Sequence, residues 1–342
     1  GAMAKRHGKH KRRHTTHSHE HAEQTEHTPS QQRKQVRTQD RLKKIFLNET
    51  ALIILLLVIA IGISTFFRMY PASLPATDTW AENNYKGQIE QSVAQQVNAQ
   101  FPNLPAAQKQ EYLNEQVEEI WREQEEALQP QIEATSQYFK DQMQDETGQT
   151  YLLAIDPYVW LTKAHNILEY GHSGDTYDEQ GRSVISLRNG REGKLSGHSM
   201  PSVVMVITHK ILSFFNKDQT LLASAFLVPV FIIGLAIIPA FFIARKIAGN
   251  LAGFVAGLVV ALNTALLGRT PAGFSDTDAY IILFPLLITW MAVEALSAKT
   301  LRPRLIYASL AGLSYVIGTL FWSNIWHIGA VLVATSVVYF VV

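Results

Sequence analysis

Cysteine is absent from this 342-residue sequence. Its absence excludes disulfides and thiolate ligands and leaves the redox compartment unmarked. Charge is thin as well, with 17% of residues charged against 47% hydrophobic. A formal net charge of +1 gives no overall basic field, and no nucleic-acid partner is expected. Acids are missing altogether from Leu221–Ala244, where only Pro229 and Pro239 interrupt the apolar run. An ion or solute transporter would set polar groups at mid-membrane in broken helices, so this lack counts against that class.

What is present is strongly segregated. The N-terminus is basic and polar, the middle is mixed, and the last third is almost wholly apolar. From Thr220 onward the apolar runs suffice for bilayer spans of about 20 residues. We therefore expect an all-α polytopic membrane protein with about six spans and a long helical external loop. The final TSVVYFVV stops inside an apolar run without the anchors that usually end a span. We read the sequence as the N-terminal part of a longer protein, with Gly1-Ala2 ahead of Met3 as residues added for expression.

Residues 1–50 read as a disordered cytoplasmic tail. Met3–Lys44 carries twelve Lys/Arg, four Asp/Glu and seven histidines (His7, His10, His14, His17, His19, His21, His27) without apolar periodicity. Adventitious metal binding by the histidines and attachment to anionic lipid head groups stand as alternatives to a merely solvated tail. Ala51–Phe67 follows as a first transmembrane helix, preceded by Lys43 and Lys44, so its N-terminus is expected inside. It lies too deep in the chain, and lacks the cleavage site, to be a removable signal peptide.

Residues 68–219 then form the first external loop. Pro71–Gly148 is rich in Gln, Glu and Ala and predicts helices over Glu82–Gln100 and Ala106–Leu128. Ile89, Val93 and Val97 lie on one face, and Leu113, Val117, Ile120 and Trp121 on another. Pro102, Pro105 and Pro130 are expected to break them. The pattern fits solvated helices or a partner-binding hairpin. After it comes TYLLAIDPYVWLTKAHNILEYGH, where Asp156 precedes Pro157 and could serve only to cap a helix over Pro157–Tyr170. Gly171–Gly197 reads as loop. Met200–Phe215 is short and carries His209 and Lys210, so it reads as an interfacial or re-entrant helix.

Chemistry concentrates in Gly268–Tyr280, GRTPAGFSDTDAY, between Leu251–Leu267 and Ile281–Leu296. Asp276 and Asp278, spaced D-x-D, can be aimed to one side by a turn or extended backbone. Paired carboxylates suit a hard divalent cation. Topology places the loop. With Met200–Phe215 not spanning, Leu221–Ala244 runs inward to Arg245 and Lys246, and Leu251–Leu267 runs outward to Arg269–Asp278. Ile281–Leu296 then returns to Lys299, Arg302 and Arg304, Leu305–Phe321 goes out, and Ile328 onward returns. Every short basic loop is then cytoplasmic, and Asp156 shares the outer side with Asp276 and Asp278. Glu294, near an inner end, reads as snorkelling.

These residues resemble the N-terminal membrane part of the catalytic subunit of oligosaccharyltransferases, closest in look to the single-subunit archaeal type. IDPY, with Asp156, carries the match in the first external loop. GRTPAGFSDTDAY carries it in the second, with Arg269 seven residues before Asp276. The resemblance covers Ala51–Phe67 and Leu152–Val342, and 71–148 is an insertion relative to it. It implies a GT-C-type glycosyltransferase fold in a multi-pass cell-membrane protein with an external active site. The implied reaction transfers an oligosaccharide from a polyprenyl or dolichyl (pyro)phosphate carrier to the asparagine amide of an N-x-S/T sequon. Lipid-linked oligosaccharide, acceptor polypeptide and membrane lipids are the implied partners. By the same resemblance, Asp156, Asp276 and Asp278 are acidic ligands of Mg²⁺ or Mn²⁺, with Asp156, Asp276 and Arg269 the catalytic residues and Asp156 able to bond the acceptor amide. Arg269 is implied to orient a carboxylate or meet phosphate; its bland alternative is an interface arginine snorkelling to water. In the family a further glutamate and a WWDYG-type sequon motif lie downstream; neither occurs here, so the sequence alone is expected to be inactive. Trp322 and Trp326 read as interface aromatics. The competing readings are a polyprenyl-phosphate-sugar-dependent protein O-mannosyltransferase, a transporter, and a scaffold that works through the 71–148 helices.

Overall fold

The computed structural model describes residues 48–188, 190–197 and 199–341. The histidine cluster and the lipid-binding alternative of the basic tail lie outside them. Of the unit Gly1–Leu52, the described part is a helix start, where Asn48 Oδ1 accepts from the amides of Thr50 and Ala51. A helix leads into the unit Ile53–Val342.

That helix, α1, is Glu49–Met69. Its 21 residues give a length of about 32 Å at 1.5 Å per residue, enough for a hydrocarbon core. It buries a single stripe, Ala60, Ser64 and Arg68, at the i, i+4, i+8 spacing of one helical face. Large apolar residues on the other side, such as Ile54, Val58 and Phe66, are exposed, as expected of a lipid-facing surface.

Helices α2 (Ala76–Gln100) and α3 (Ala106–Gln142) form a hairpin. Two apolar clusters hold it: Ala81, Trp121 and Ile132 near the base, and Val93, Val97 and Leu113 toward the turn. At the base Ser136 donates to Asp78 Oδ1 at 2.5 Å and Lys140 Nζ reaches the same oxygen at 3.1 Å. Those two donors, the Ser136 hydroxyl first, hold the Asp78 carboxyl below its usual range. Pro102 and Pro105 lie between the helices as expected, and α2 starts six residues before the predicted Glu82. Pro130 does not break the second helix; α3 runs through it. Proline removes one amide donor and crowds the preceding turn. Here Pro130 and Glu126, four residues back, are both exposed, so the freed carbonyl faces water. Trp121 and Ile132 are buried on either side and carry the helix across.

Helix α4 (Asp156–Tyr170) follows. Between it and α5 (Met200–Phe215), the segment expected to be plain loop holds a small antiparallel sheet, β1 (Thr176–Tyr177), β2 (Ser183–Ile185) and β3 (Lys194–Leu195). Thr176 pairs with Val184, and Val184 with Leu195. Strands this short leave no alternation to read.

A helical stretch of 42 residues, α6 (Leu221–Leu262), leaves helical geometry at Ala248 and Gly249, where Gly249 has φ 81°. It folds back there. A Cβ on Gly253 would lie 2.8 Å from the Phe241 carbonyl, and one on Gly257 would lie 3.2 Å from Ile237. Both pairs are centred on Ile247, so two antiparallel arms are in contact, matching the two runs expected from sequence. The second arm stops at Leu262, short of the expected Leu267. Asn263 takes φ −58°, ψ 121° and its side chain caps a separate short helix, α7 (Thr264–Arg269), by accepting from Leu266 N.

Helix α8 (Asp278–Ser297) packs on α6 and on α9 (Leu301–Thr319), and α10 (Trp326–Val341) closes the described chain. The main core joins Ile233 and Ile237 of α6 to Ala279, Phe284 and Ile288 of α8, with Met205 of α5. Among the described residues, three helical stretches are long and apolar enough to cross a membrane: Glu49–Ser73, Leu221–Leu262 and Asp278–Ser297. Met200–Phe215 and Ser323–Val338 are apolar but shorter. Glu294 bonds Lys246 at 2.5 Å, so it ties the fold-back of α6 to the end of α8 and does not simply snorkel.

Replacing Pro130 by alanine restores an amide donor in an exposed helix interior, where proline costs about 3 kcal/mol relative to alanine. Amide exchange around residues 126–134 is expected to slow by a corresponding factor in Pro130→Ala. Unchanged exchange would mean that the helix is already distorted there for another reason.

Candidate functional site

The site is built on the segment between α7 and α8. Thr270, Pro271, Ala272, Gly273 and Ser275 are buried, although the backbone is irregular. A buried amide or carbonyl without a partner costs as much as a lost hydrogen bond, so an irregular buried loop needs partners from elsewhere. It takes them from three elements. Ala272 N donates to Arg68 O of α1 at 2.9 Å, and Gly273 N donates to Phe226 O of α6 at 2.8 Å. Leu153 N, three residues before Asp156, donates to Gly273 O at 3.0 Å. The Ser275 hydroxyl adds a bond to Ala225 O.

Gly273 is where these bonds cross. Its φ is +87°, and a Cβ would fall 2.6 Å from the Phe226 ring and 3.0 Å from Leu153. Only glycine takes that conformation without strain and leaves the space. The same bond joins the two acidic motifs, 120 residues apart in the chain, at the backbone level. The tyrosine of IDPY contributes as well, since Tyr158 Oη accepts from Leu152 N at 3.1 Å.

Each expected site residue can now be placed. Asp276 Oδ1 accepts from the indole Nε1 of Trp160 on α4 at 2.9 Å. Arg269 lies 3.0 Å from Asp278 Oδ2, and its guanidinium stacks over Phe274 at 4.7 Å. The Arg269 guanidinium is thus the charge partner of the buried Asp278 Oδ2. Arg269 is 59% exposed, and a pair this open adds little stability. It does offset the repulsion between Asp278 and the neighbouring Asp276. Asp156 is exposed in the first turn of α4. It is not the helix cap: the cap position is Ile155, with no side-chain bond. Asp156 and Trp160 are spaced i, i+4 and so share one face of α4. The helix face that holds Asp276 therefore also presents Asp156.

Carboxylate oxygens are the right donors for a hard cation, and the buried Asp278 Oδ2, with the Arg269 guanidinium beside it, fits that use. The fit extends to Asp276 and Asp278. Among the described residues no three His, Cys, Asp or Glu side chains converge closely enough to hold an ion, so Asp156 joins the pair by helix face and not by contact. On the adjoining face of α4, Lys163 lies over the Trp160 ring at 5.0 Å. Burial, then the charges of Arg188 and Lys194, lower the Lys163 ammonium below its usual range.

Three residues that matter here escape a reading of the sequence. Trp160 had a signal, its i+4 spacing from Asp156. Gly273 had a weaker one, a glycine inside a motif loop. Arg68 ends an apolar run, where an arginine reads as an interface anchor.

Gly273→Ala is expected to destabilise the protein by about 1–3 kcal/mol through strain at positive φ and contact with Phe226, read as a lowered melting temperature in detergent. Gly273→Ala with Phe226→Leu should recover the steric part. A single variant that melts with the parent would contradict this account of the loop.

A family model, "Oligosaccharyl transferase STT3, N-terminal", matches residues 130–342. The match starts within α3 and takes in α4, the DTD loop and everything after. The chain is 33% identical over 211 residues to a dolichyl-phosphooligosaccharide-protein glycotransferase of Methanococcus voltae, covering 60% of this chain and 23% of the relative. It is 31% identical over 179 residues to a protein of the same name from Methanocaldococcus jannaschii, covering 48% of this chain and 18% of that one. The chain thus spans about a quarter or less of the length of these curated relatives. No solved structure matches it. With a family match over more than half its length and apolar helices long enough to cross a bilayer, the chain is an integral membrane protein of the oligosaccharyl transferase STT3 family.

Proposed function

We propose that the protein containing this chain transfers an oligosaccharide from a polyprenyl or dolichyl (pyro)phosphate to the asparagine amide of N-x-S/T sequons. The observation that carries this reading is the joining of the two acidic motifs by Leu153 N–Gly273 O and Trp160–Asp276. The names of the relatives agree with it.

In this reading the amide nitrogen forms a bond to the sugar's anomeric carbon, the bond from that carbon to the carrier phosphate breaks, and the amide gives up a proton. Asp276 and Asp278 would hold Mg²⁺ or Mn²⁺, which when bound neutralises charge on the departing phosphate. Asp156, exposed at the start of α4, would accept a hydrogen bond from the acceptor amide and orient its nitrogen. Trp160 fixes the direction of Asp276. Arg269 holds Asp278 from one side and leaves more than half of its own side chain open to a phosphate. Residues beyond this chain would complete the ion's shell and read the sequon, so the chain alone would not catalyse transfer.

The membrane arrangement we infer has six spans, α1, the two arms of α6, α8, α9 and α10, with α5 at the interface. The N-terminus is cytoplasmic and the acidic site external. Its support is positional. The Lys246–Glu294 pair marks one end of α8 and the Arg269–Asp278 pair the other, about 24 Å apart at 1.5 Å per residue. Basic residues gather at the first end.

Two measurements test the proposal. In the full-length protein, Asp276→Asn and Asp156→Asn should each lower glycan transfer to a fluorescent sequon peptide by about 10²-fold or more, and Asn→Gln in the peptide should abolish it. Transfer that persists on a serine or threonine of the asparagine-free peptide would favour O-glycosylation instead. This chain lacks cysteine, and in a cysteine-free background of the full-length protein single cysteines report topology. Gly268→Cys should react with an impermeant maleimide from outside the cell and Arg302→Cys should not. The reverse pattern would overturn the orientation.

A further inference from the structure

Arg68 is fully buried at the end of α1, yet among the described residues all of the acceptors it bonds are uncharged. Nη1 donates to Ser64 Oγ at 2.7 Å and to Ala261 O at 2.9 Å, Nη2 to Val260 O at 3.3 Å, and Nε to Thr270 Oγ1 at 3.1 Å. A buried charge without a carboxylate is costly. The arrangement is tolerable because Val260 and Ala261 belong to the last turn of α6. Their carbonyls lack partners within the helix and sit at the negative end of its dipole. The rigid fork of a guanidinium spreads its donors over separate nitrogens and can meet all of these acceptors at once, whereas an ammonium offers fewer donors, all on one nitrogen.

The same residue grips the DTD segment twice. Its side chain holds Thr270, whose own hydroxyl donates to Leu266 O at 2.6 Å. Its backbone carbonyl takes the amide of Ala272. One residue of α1 thereby sets the end of the second α6 arm, the start of the loop and the approach to Gly273.

We propose that Arg68 is the positioning residue of the acidic loop. It fixes where Asp276 and Asp278 stand relative to α4 by tying the loop's first residues to the C-terminus of α6. It touches none of the acids, so its effect is on placement. That placement is independent of the transfer reading; only the consequence for turnover rests on it.

The test uses spin labels on the full-length protein at Thr162→Cys, exposed on α4, and Gly268→Cys, where a side chain meets open space. With Arg68 intact, the distance distribution between them should be narrow. Arg68→Lys, Arg68→Met and Thr270→Val, each shown by melting and circular dichroism to be folded, should broaden or shift it. Thr270→Val leaves the contacts of Arg68 with Ser64, Val260 and Ala261 in place, so it decides the matter if the arginine variants do not fold. In the same variants turnover of sequon peptide should fall by about 10-fold or more, with the peptide KM within about twofold, since misplacement acts on the reacting geometry. An unchanged distance distribution in every folded variant would overturn the proposal. So would a loss confined to melting temperature with turnover intact. If the parent protein shows no sequon transfer, the functional reading fails, and the distance measurement still decides the role of Arg68.

Discussion

An irregular loop buried against membrane helices must find a partner for every backbone polar group, and the rest of the structure depends on how this one does so. The segment from Thr270 to Ser275 bonds to α1 through Ala272, to α6 through Gly273 and Ser275, and to the approach to α4 through the Gly273 carbonyl. These bonds are costly to lose because the segment is buried away from water. They set two carboxylates at the end of α8 and bring a third, from a distant part of the chain, to the neighbouring helix. The acidic residues carry the chemistry we propose, but the glycine and the backbone around it join the segments that bear them.

Charge is arranged by the same logic at both ends of α8. At one end Arg269 is held between Phe274 and Asp278 and tempers the repulsion of two adjacent acids. At the other end Lys246 meets Glu294. Between them α8 packs small and apolar side chains into the core. Arg68 stands apart, a full charge met among the described residues by helix-end carbonyls and hydroxyls.

Much of this was legible in the sequence, for definite reasons. Apolar runs of bilayer length announced α1, both arms of α6 and α8. The i, i+4 apolar positions announced the helices α2 and α3, and the clusters around Trp121 and Val93 form on the faces that spacing marked. Asp276, Asp278 and Arg269 could be grouped because they are neighbours in the chain. The illegible parts depend on contacts that local pattern does not encode. Arg68 meets partners 192 to 202 residues away. Pro130 survives inside α3 because its surroundings are solvated, which composition does not reveal. The turn at Asn263 and the three short strands are set by a single side-chain cap and by two- or three-residue pairings. Asp156 could be read as a helix cap from its position before proline; the structure assigns the cap position to Ile155 and leaves the carboxylate exposed.

The central claim is that the acids of the two motifs serve one site. Manganese binding to the full-length protein, followed by electron paramagnetic resonance in the parent, Asp276→Asn and Asp156→Asn, tests it most directly. The account predicts that one bound-ion signal is weakened by the Asp276 change and altered by the Asp156 change as well. A signal untouched by either substitution, or sensitive to Asp276 but indifferent to Asp156, would contradict the shared site.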